Sequence, residues 1–165
     1  SSFEDRHDEG PPEACDVILA GFQERPARFV AKSAVFAFPS RWEGLGMALL
    51  EALAVGAVAV ASDCRFGPRE ILAPDTDWRI EASRPERAAH GILMPVPAAG
   101  LVAPDAPLDA AERAWAETLT EVLEDAELRR SYRARALERA DAFSIERILP
   151  QWEAVLFPDR VTPAR

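Results

Sequence analysis

The 165-residue sequence predicts an α/β protein, with a partial, open parallel sheet covered on both faces and a helical segment after it. Three observations predict this class. Short, uninterrupted apolar runs recur at 17–20, 34–38, 57–61 and 91–94, the pattern of strands buried on both faces. Helical patterns lie between them, so successive strands run parallel and every strand-to-helix loop falls on one edge of the sheet. The final third carries patterns of helix period and length alone.

Each element has its own signal. Residues 1–14 read as a polar tail, with Gly10-Pro11-Pro12 as a breaker. Val17, Ile18, Leu19 and Ala20 form the first expected strand, ended by Gly21. Pro26 opens a short helix over 27–33, with Phe29 and Val30 on one side. The second strand, 34–38, stops at Pro39-Ser40, and after a loop over 41–46 a long apolar helix runs from Met47 to Val55, ended by Gly56. The third strand, 57–61, leads into a polar loop over 62–69, and Glu70 to Leu72 is too short to assign. Residues 73–90 read as an irregular insertion, and Gly91-Ile92-Leu93-Met94 as the fourth strand. Then Trp115, Leu119, Val122 and Leu123 form a helical stripe, and 128–142 a second helix. Ser144 is the expected N-cap of a last helix whose apolar side is Ile145, Ile148, Leu149, Trp152 and Leu156. Trp115 and Trp152 are expected core anchors. This organisation gives a folded unit at 15–157 and a tail at 158–165.

Composition narrows the function classes. With 48% hydrophobic and 28% charged residues, the chain is neither disordered nor collagen-like. No run of about 18 apolar residues occurs, and the first residues lack the apolar stretch of a secretory signal. Two cysteines without a CxxC spacing give neither a disulfide framework nor a cysteine-rich zinc site. These features predict a cytoplasmic protein. The net charge of −9 argues against nucleic acid, which needs a basic face, and allows at most peripheral contact with a membrane, at its inner face. A small anionic ligand in a locally positive pocket remains compatible.

Chemistry concentrates in Phe38-Pro39-Ser40-Arg41-Trp42-Glu43-Gly44-Leu45-Gly46-Met47-Ala48-Leu49-Leu50-Glu51. A strand ends, a loop with two glycines follows, and a helix starts at once. In an open parallel sheet, ligands bind at this edge. Glycines admit a close-approaching ligand, and a helix N-terminus offers N–H groups to an anion, so a phosphate or diphosphate fits at Gly44, Leu45, Gly46, Met47 and Ala48. The third glycine of GxGxxG is absent, Leu49 standing there, and a plain turn accounts for the two glycines as well. The carboxylates add to the phosphate reading. Glu51 sits in an otherwise apolar helix and leans back toward the mouth flanked by Glu43, and two acceptors beside a diphosphate suit sugar or ribose hydroxyls. The competing reading makes Glu51 a solvated edge residue or the partner of a buried arginine. Trp42 is the tryptophan best placed for ligand contact.

On these residues the segment from Phe38 through Gly67-Pro68-Arg69-Glu70 resembles the nucleotide-sugar half of retaining glycosyltransferases of the GT-B fold, family 4 (glycosyl transferases group 1), whose E-x7-E pattern falls on Glu43 and Glu51. The likeness extends over most of 15–157. It implies a partial Rossmann-like parallel sheet, the incomplete C-terminal, donor-binding half of that fold. It further implies a UDP-, GDP- or ADP-sugar donor, with Glu51 on the ribose, Glu43 beside the donor sugar, and the diphosphate on the backbone of residues 44–48. No metal or other cofactor is required by that resemblance, and the Gly-Pro-Arg-Glu tetrapeptide points toward bacterial surface polysaccharides and a glycan or lipid-linked acceptor.

The chain also departs from that family. The acceptor-binding N-terminal domain has no counterpart here, nor do two further strand–helix units that carry an arginine and a lysine for the diphosphate. Arg25, Arg28, Lys32, Arg41, Arg65 and Arg69 are the bases nearby, and none matches that pair in position. The expectation is a donor domain that is inactive alone, partners a missing N-terminal domain, and self-associates through an open sheet edge. The alternative is a non-catalytic binding or scaffolding module derived from such an enzyme. His7 and His90 have no third ligand nearby, Ser40 lacks a G-x-S-x-G elbow, and nothing marks Cys64 as reactive. The arginines at 129, 130, 133, 135 and 139 are expected on a solvated helix face with local ion pairs.

Overall fold

A computed structural model describes residues 17–100, 103 and 106–158. The expected tail at 1–14, and that at 158–165 beyond Pro158, lie outside the described residues.

Three parallel strands form the sheet: β1 (Phe36–Phe38), β2 (Ala59–Ser62) and β4 (Ile92–Met94), in the order β1-β2-β4. A fourth, β3 (Glu86–Arg87), pairs antiparallel on the outer side of β4. Helix α1 (Ala27–Val30) precedes β1, α2 (Met47–Ala54) links β1 to β2, and α3 (Pro68–Leu72) follows β2. Then come α4 (Ala110–Glu124), α5 (Ala126–Asp141) and α6 (Ile145–Leu156). The fold class is the expected one.

Alternation along β2 builds two cores. Ala59 and Ala61 face α2 and α3, where Leu49, Leu53, Ile71 and Leu72 close over them together with Leu93 of β4. Alanines on this side let the helices pack close to the sheet. Val58 and Val60 face the other way with Ile92 and Met94, onto Trp115 and Val122 of α4 and Tyr132 of α5. Each fully buried leucine or isoleucine contributes roughly 1.5–3 kcal/mol, so β2 and β4, buried at every residue, carry the fold.

Helix α5 lies across the end where the strands begin. Arg133 donates to the Ser33 carbonyl ahead of β1 at 2.8 Å, and Leu137 packs against Gly56 ahead of β2. The Tyr132 hydroxyl donates to the Ala88 carbonyl ahead of β4 at 3.3 Å. Arg139 donates to the carbonyls of Ile71 and Glu70, each at 2.7 Å. Among the described residues, Arg129, Arg133 and Arg139 bond to backbone carbonyls in place of the expected ion pairs.

Several expectations fail, for physical reasons. Residues 17–20 form no strand and are exposed, Leu19 at 93%. Among the described residues β1 pairs with β2 alone, and 17–20 do not take up its free edge. Helix α6 forms where expected, yet it buries no residue, and Ser144 gives it no side-chain cap. Trp152, an expected core anchor, is 59% exposed, whereas Trp115 is buried and donates from Nε1 to the Pro95 carbonyl at 3.0 Å. Leu123 of the α4 stripe is likewise exposed. Strand β3 went unpredicted because its two residues are charged and carry no apolar signal.

Candidate functional site

Two loops meet at the edge where the parallel strands end. The first, 39–46, leaves β1 and enters α2; the second, 63–67, leaves β2 and enters α3. Ser62, buried at the end of β2, donates from Oγ to the Phe38 carbonyl at 3.4 Å and also to the Ser40 carbonyl. The loops then pair through backbone: Glu43 N–H donates to the Arg65 carbonyl at 3.2 Å, and Phe66 N–H to the Glu43 carbonyl at 2.9 Å. A Cβ at Gly67, whose φ is +100°, would stand 2.0 Å from the Leu45 carbonyl oxygen. Glycine is thus demanded there both by backbone conformation and by contact.

Gly46 is the N-cap of α2 at φ +85°, with room for a Cβ 3.6 Å from the Phe38 ring. It has no side chain to cap the helix, and the first helical bonds run from Leu49 and Leu50 back to its carbonyl. Met47 and Ala48, the first two helical residues, are exposed. Gly44 differs from both other glycines, because a Cβ there would meet nothing within 4 Å. Packing does not require glycine at that position.

The two carboxylates flank this surface from different elements. Glu43 is half-buried in the first loop, and Glu51 is exposed one turn into α2. Glu51 thus stands as the competing reading of a solvated residue expects, and no arginine partner for it is found among the described residues. Neither carboxylate has a hydrogen-bonded or ion-paired side-chain partner among the described residues. Leu45 is partly exposed and Trp42 almost fully so.

The nearby bases divide sharply. Arg69 is 4% exposed and bound up entirely within the protein. Its Nε donates to Asp63 at 3.0 Å, one terminal nitrogen to Thr76 Oγ1 at 3.2 Å and Glu86 Oε1 at 3.1 Å, and the other to Asp63 Oδ2 at 2.6 Å and Glu86 Oε2 at 2.8 Å. A guanidinium has five N–H donors, and all five are used. Burial alone would disfavour the charge, but the bonds that Arg69 donates to Glu86 and Asp63 outweigh it and hold Arg69 protonated well above its ordinary range. Arg69 therefore has no donor left for a ligand. Arg65 pairs with Glu81 at 2.8 Å, while Arg25, Arg28 and Lys32 line an open cleft with Phe22. Cys64 is a buried free thiol; burial raises its pKa, as does the charge of Glu43, against a bond from Ser62 that lowers it. It is a protonated packing residue.

Similarity to known proteins extends across this segment. The family described as glycosyl transferases group 1 matches residues 3–94, a stretch that includes both loops, α2 and β4. An uncharacterized glycosyltransferase of Methanocaldococcus jannaschii is 34% identical over 144 residues, which are 86% of this chain and 35% of that protein. The N-acetylgalactosamine-N,N'-diacetylbacillosaminyl-diphospho-undecaprenol 4-alpha-N-acetylgalactosaminyltransferase of Campylobacter jejuni is 31% identical over 127 residues, 77% of this chain and 28% of that protein. The chain spans about a third of the length of these relatives.

Proposed function

Because the chain belongs to the glycosyl transferases group 1, we propose that it is the donor-binding part of a retaining GT-B glycosyltransferase of family 4, holding a nucleotide-diphosphate sugar on the edge formed by the loops 39–46 and 63–67. The observation that carries this reading is Gly44. The fold has no steric need of glycine there, whereas a diphosphate lying against the backbone does. Gly46 leaves the N-terminus of α2 uncapped by a side chain, so the amides of Met47 and Ala48 are the donors for phosphate oxygens. Glu51, unpartnered and exposed, accepts from the ribose hydroxyls, and Glu43 stands by the donor sugar. As the bond from the anomeric carbon to the diphosphate breaks, negative charge grows on the leaving group, where fixed N–H donors stabilise it more than in the ground state. Two carboxylates on this edge without side-chain partners among the described residues support the donor-site reading over a scaffolding module.

The acceptor in this proposal is a lipid-linked glycan, by analogy with the Campylobacter relative named for a diphospho-undecaprenol substrate. That setting puts the protein in the cytoplasm at the inner face of a membrane, in surface polysaccharide synthesis. Turnover requires polypeptide beyond these 165 residues, since the relatives are about three times as long. The reading is tested by ligand-observed NMR of the chain with UDP, GDP and ADP, repeated on Glu51→Ala. One nucleotide should bind, and the substitution should abolish or strongly weaken that binding. Binding that Glu51→Ala leaves untouched would overturn the assignment, and sugar transfer by the chain alone would overturn its dependence on further polypeptide.

A further inference from the structure

Arg69 is charged, buried and saturated, which makes it expensive. Desolvating an arginine with carboxylates commonly costs more than their attraction returns, and an apolar side chain of similar volume would fill such a space as well. What an apolar side chain cannot supply is direction. The Arg69 fork ties α3 to Asp63 at the start of the second loop, to Thr76, and to Glu86 of β3. Asp63 Oδ2 also accepts from the Ala82 N–H at 2.6 Å, and the Asp63 N–H donates to the Met94 carbonyl at 2.8 Å. Asp63 is therefore fixed from β4, from α3 and from the 76–86 segment at once. Two residues later, Arg65 and Phe66 make the pair of backbone bonds to Glu43, and Gly67 abuts Leu45.

We infer that Arg69 is a positioning residue for Glu43: by clamping Asp63 against Glu86 it fixes the 63–67 loop, and the backbone of that loop sets where Glu43 stands. The functional consequence rests on the donor-site reading above, while the mechanical coupling does not. In that mechanism Arg69 never touches the donor. Its effect falls first on how the sugar end is presented, because Glu43 is bonded to the clamped loop whereas the amides of Met47 and Ala48 belong to α2.

The test is amide hydrogen exchange by NMR on the 165-residue chain, comparing wild type with Arg69→Lys and Glu86→Gln, with UDP, GDP and ADP titrated into each. Lysine keeps the charge and loses the fork. Exchange at the Glu43 and Phe66 amides should quicken about tenfold or more in Arg69→Lys, and by a smaller factor in Glu86→Gln, as charge-assisted bonds are lost. Amides of Val60 and Ala61 in β2 should stay near their wild-type rates, and nucleotide-induced shifts at Met47 and Ala48 should persist. A purely structural role predicts faster exchange everywhere by one common factor; that result, or unchanged Glu43 and Phe66 rates, would overturn the inference. Should Arg69→Lys fail to fold, Glu86→Gln, altered at the half-exposed arm of the clamp, carries the same comparison. Failure of the wild-type chain to bind any nucleotide would overturn the donor-site reading alone.

Discussion

Three glycines within 24 positions do three different things, and alanine at Gly67 and at Gly44 separates the extremes. At Gly67 the added Cβ meets the Leu45 carbonyl oxygen at a φ that side chains rarely adopt, so Gly67→Ala should cost about 3 kcal/mol or more. Gly44→Ala meets open space and should stay within about 0.5 kcal/mol of wild type while weakening nucleotide binding. Urea denaturation with a parallel binding titration checks both; a destabilised Gly44→Ala would make that glycine structural and remove its support for the site. Much of this site was legible in the sequence, because Glu43, the two loop glycines, Met47 and Glu51 lie within nine consecutive residues whose local order of strand, loop and helix fixes their relations. The roles of Gly67 and Arg69 were not. Both depend on which loop approaches which, and Arg69, counted from sequence among the bases near a diphosphate, turned out to be enclosed by Asp63 and Glu86.

At the scale of elements, the contrast between 17–20 and β2 is instructive. Both are uninterrupted apolar runs, yet β2 is wholly buried and Val17, Ile18 and Leu19 are exposed. An apolar run reports a capacity for burial, and whether it is realised depends on neighbours that local pattern does not contain. The same holds for α6, whose apolar side has the expected period and no cover among the described residues. Helix α5 offers a test through pH. Burial pushes the Tyr132 hydroxyl above its ordinary 10.0, with Arg135 and Arg87 pulling it down and Glu121 up, and burial likewise pushes Cys64 above 9.0. The folded state thus keeps both protons at pH values where the unfolded chain releases them. Their stabilisation is complete below pH 9 and declines as pH rises through the folded values. Unfolding free energies measured from pH 7 to 11 should fall above about pH 9, and Tyr132→Phe should flatten the steeper part above 10. An unchanged slope in Tyr132→Phe would assign the alkaline loss elsewhere.

For the whole molecule, the two ends of the sheet are treated differently. Helix α5 closes the end where strands begin, and the loops 39–46 and 63–67 lie at the other end. The outer side of β1 carries no paired strand among the described residues, and Val17, Ile18, Leu19 and Phe22 are exposed. An unpaired strand edge is a template for another strand, so we propose that the chain self-associates in isolation. Sedimentation velocity should show concentration-dependent species, and a strictly monomeric profile at high concentration would contradict this. The proposed function rests above all on a nucleoside diphosphate held by the backbone at the start of α2. Amide shift mapping with UDP, GDP and ADP tests it most directly. One of them should shift the amides of Gly44, Leu45, Gly46, Met47 and Ala48, and Gly44→Ala should diminish those shifts. Shifts confined to other parts of the chain, or none with any of the three, would contradict it.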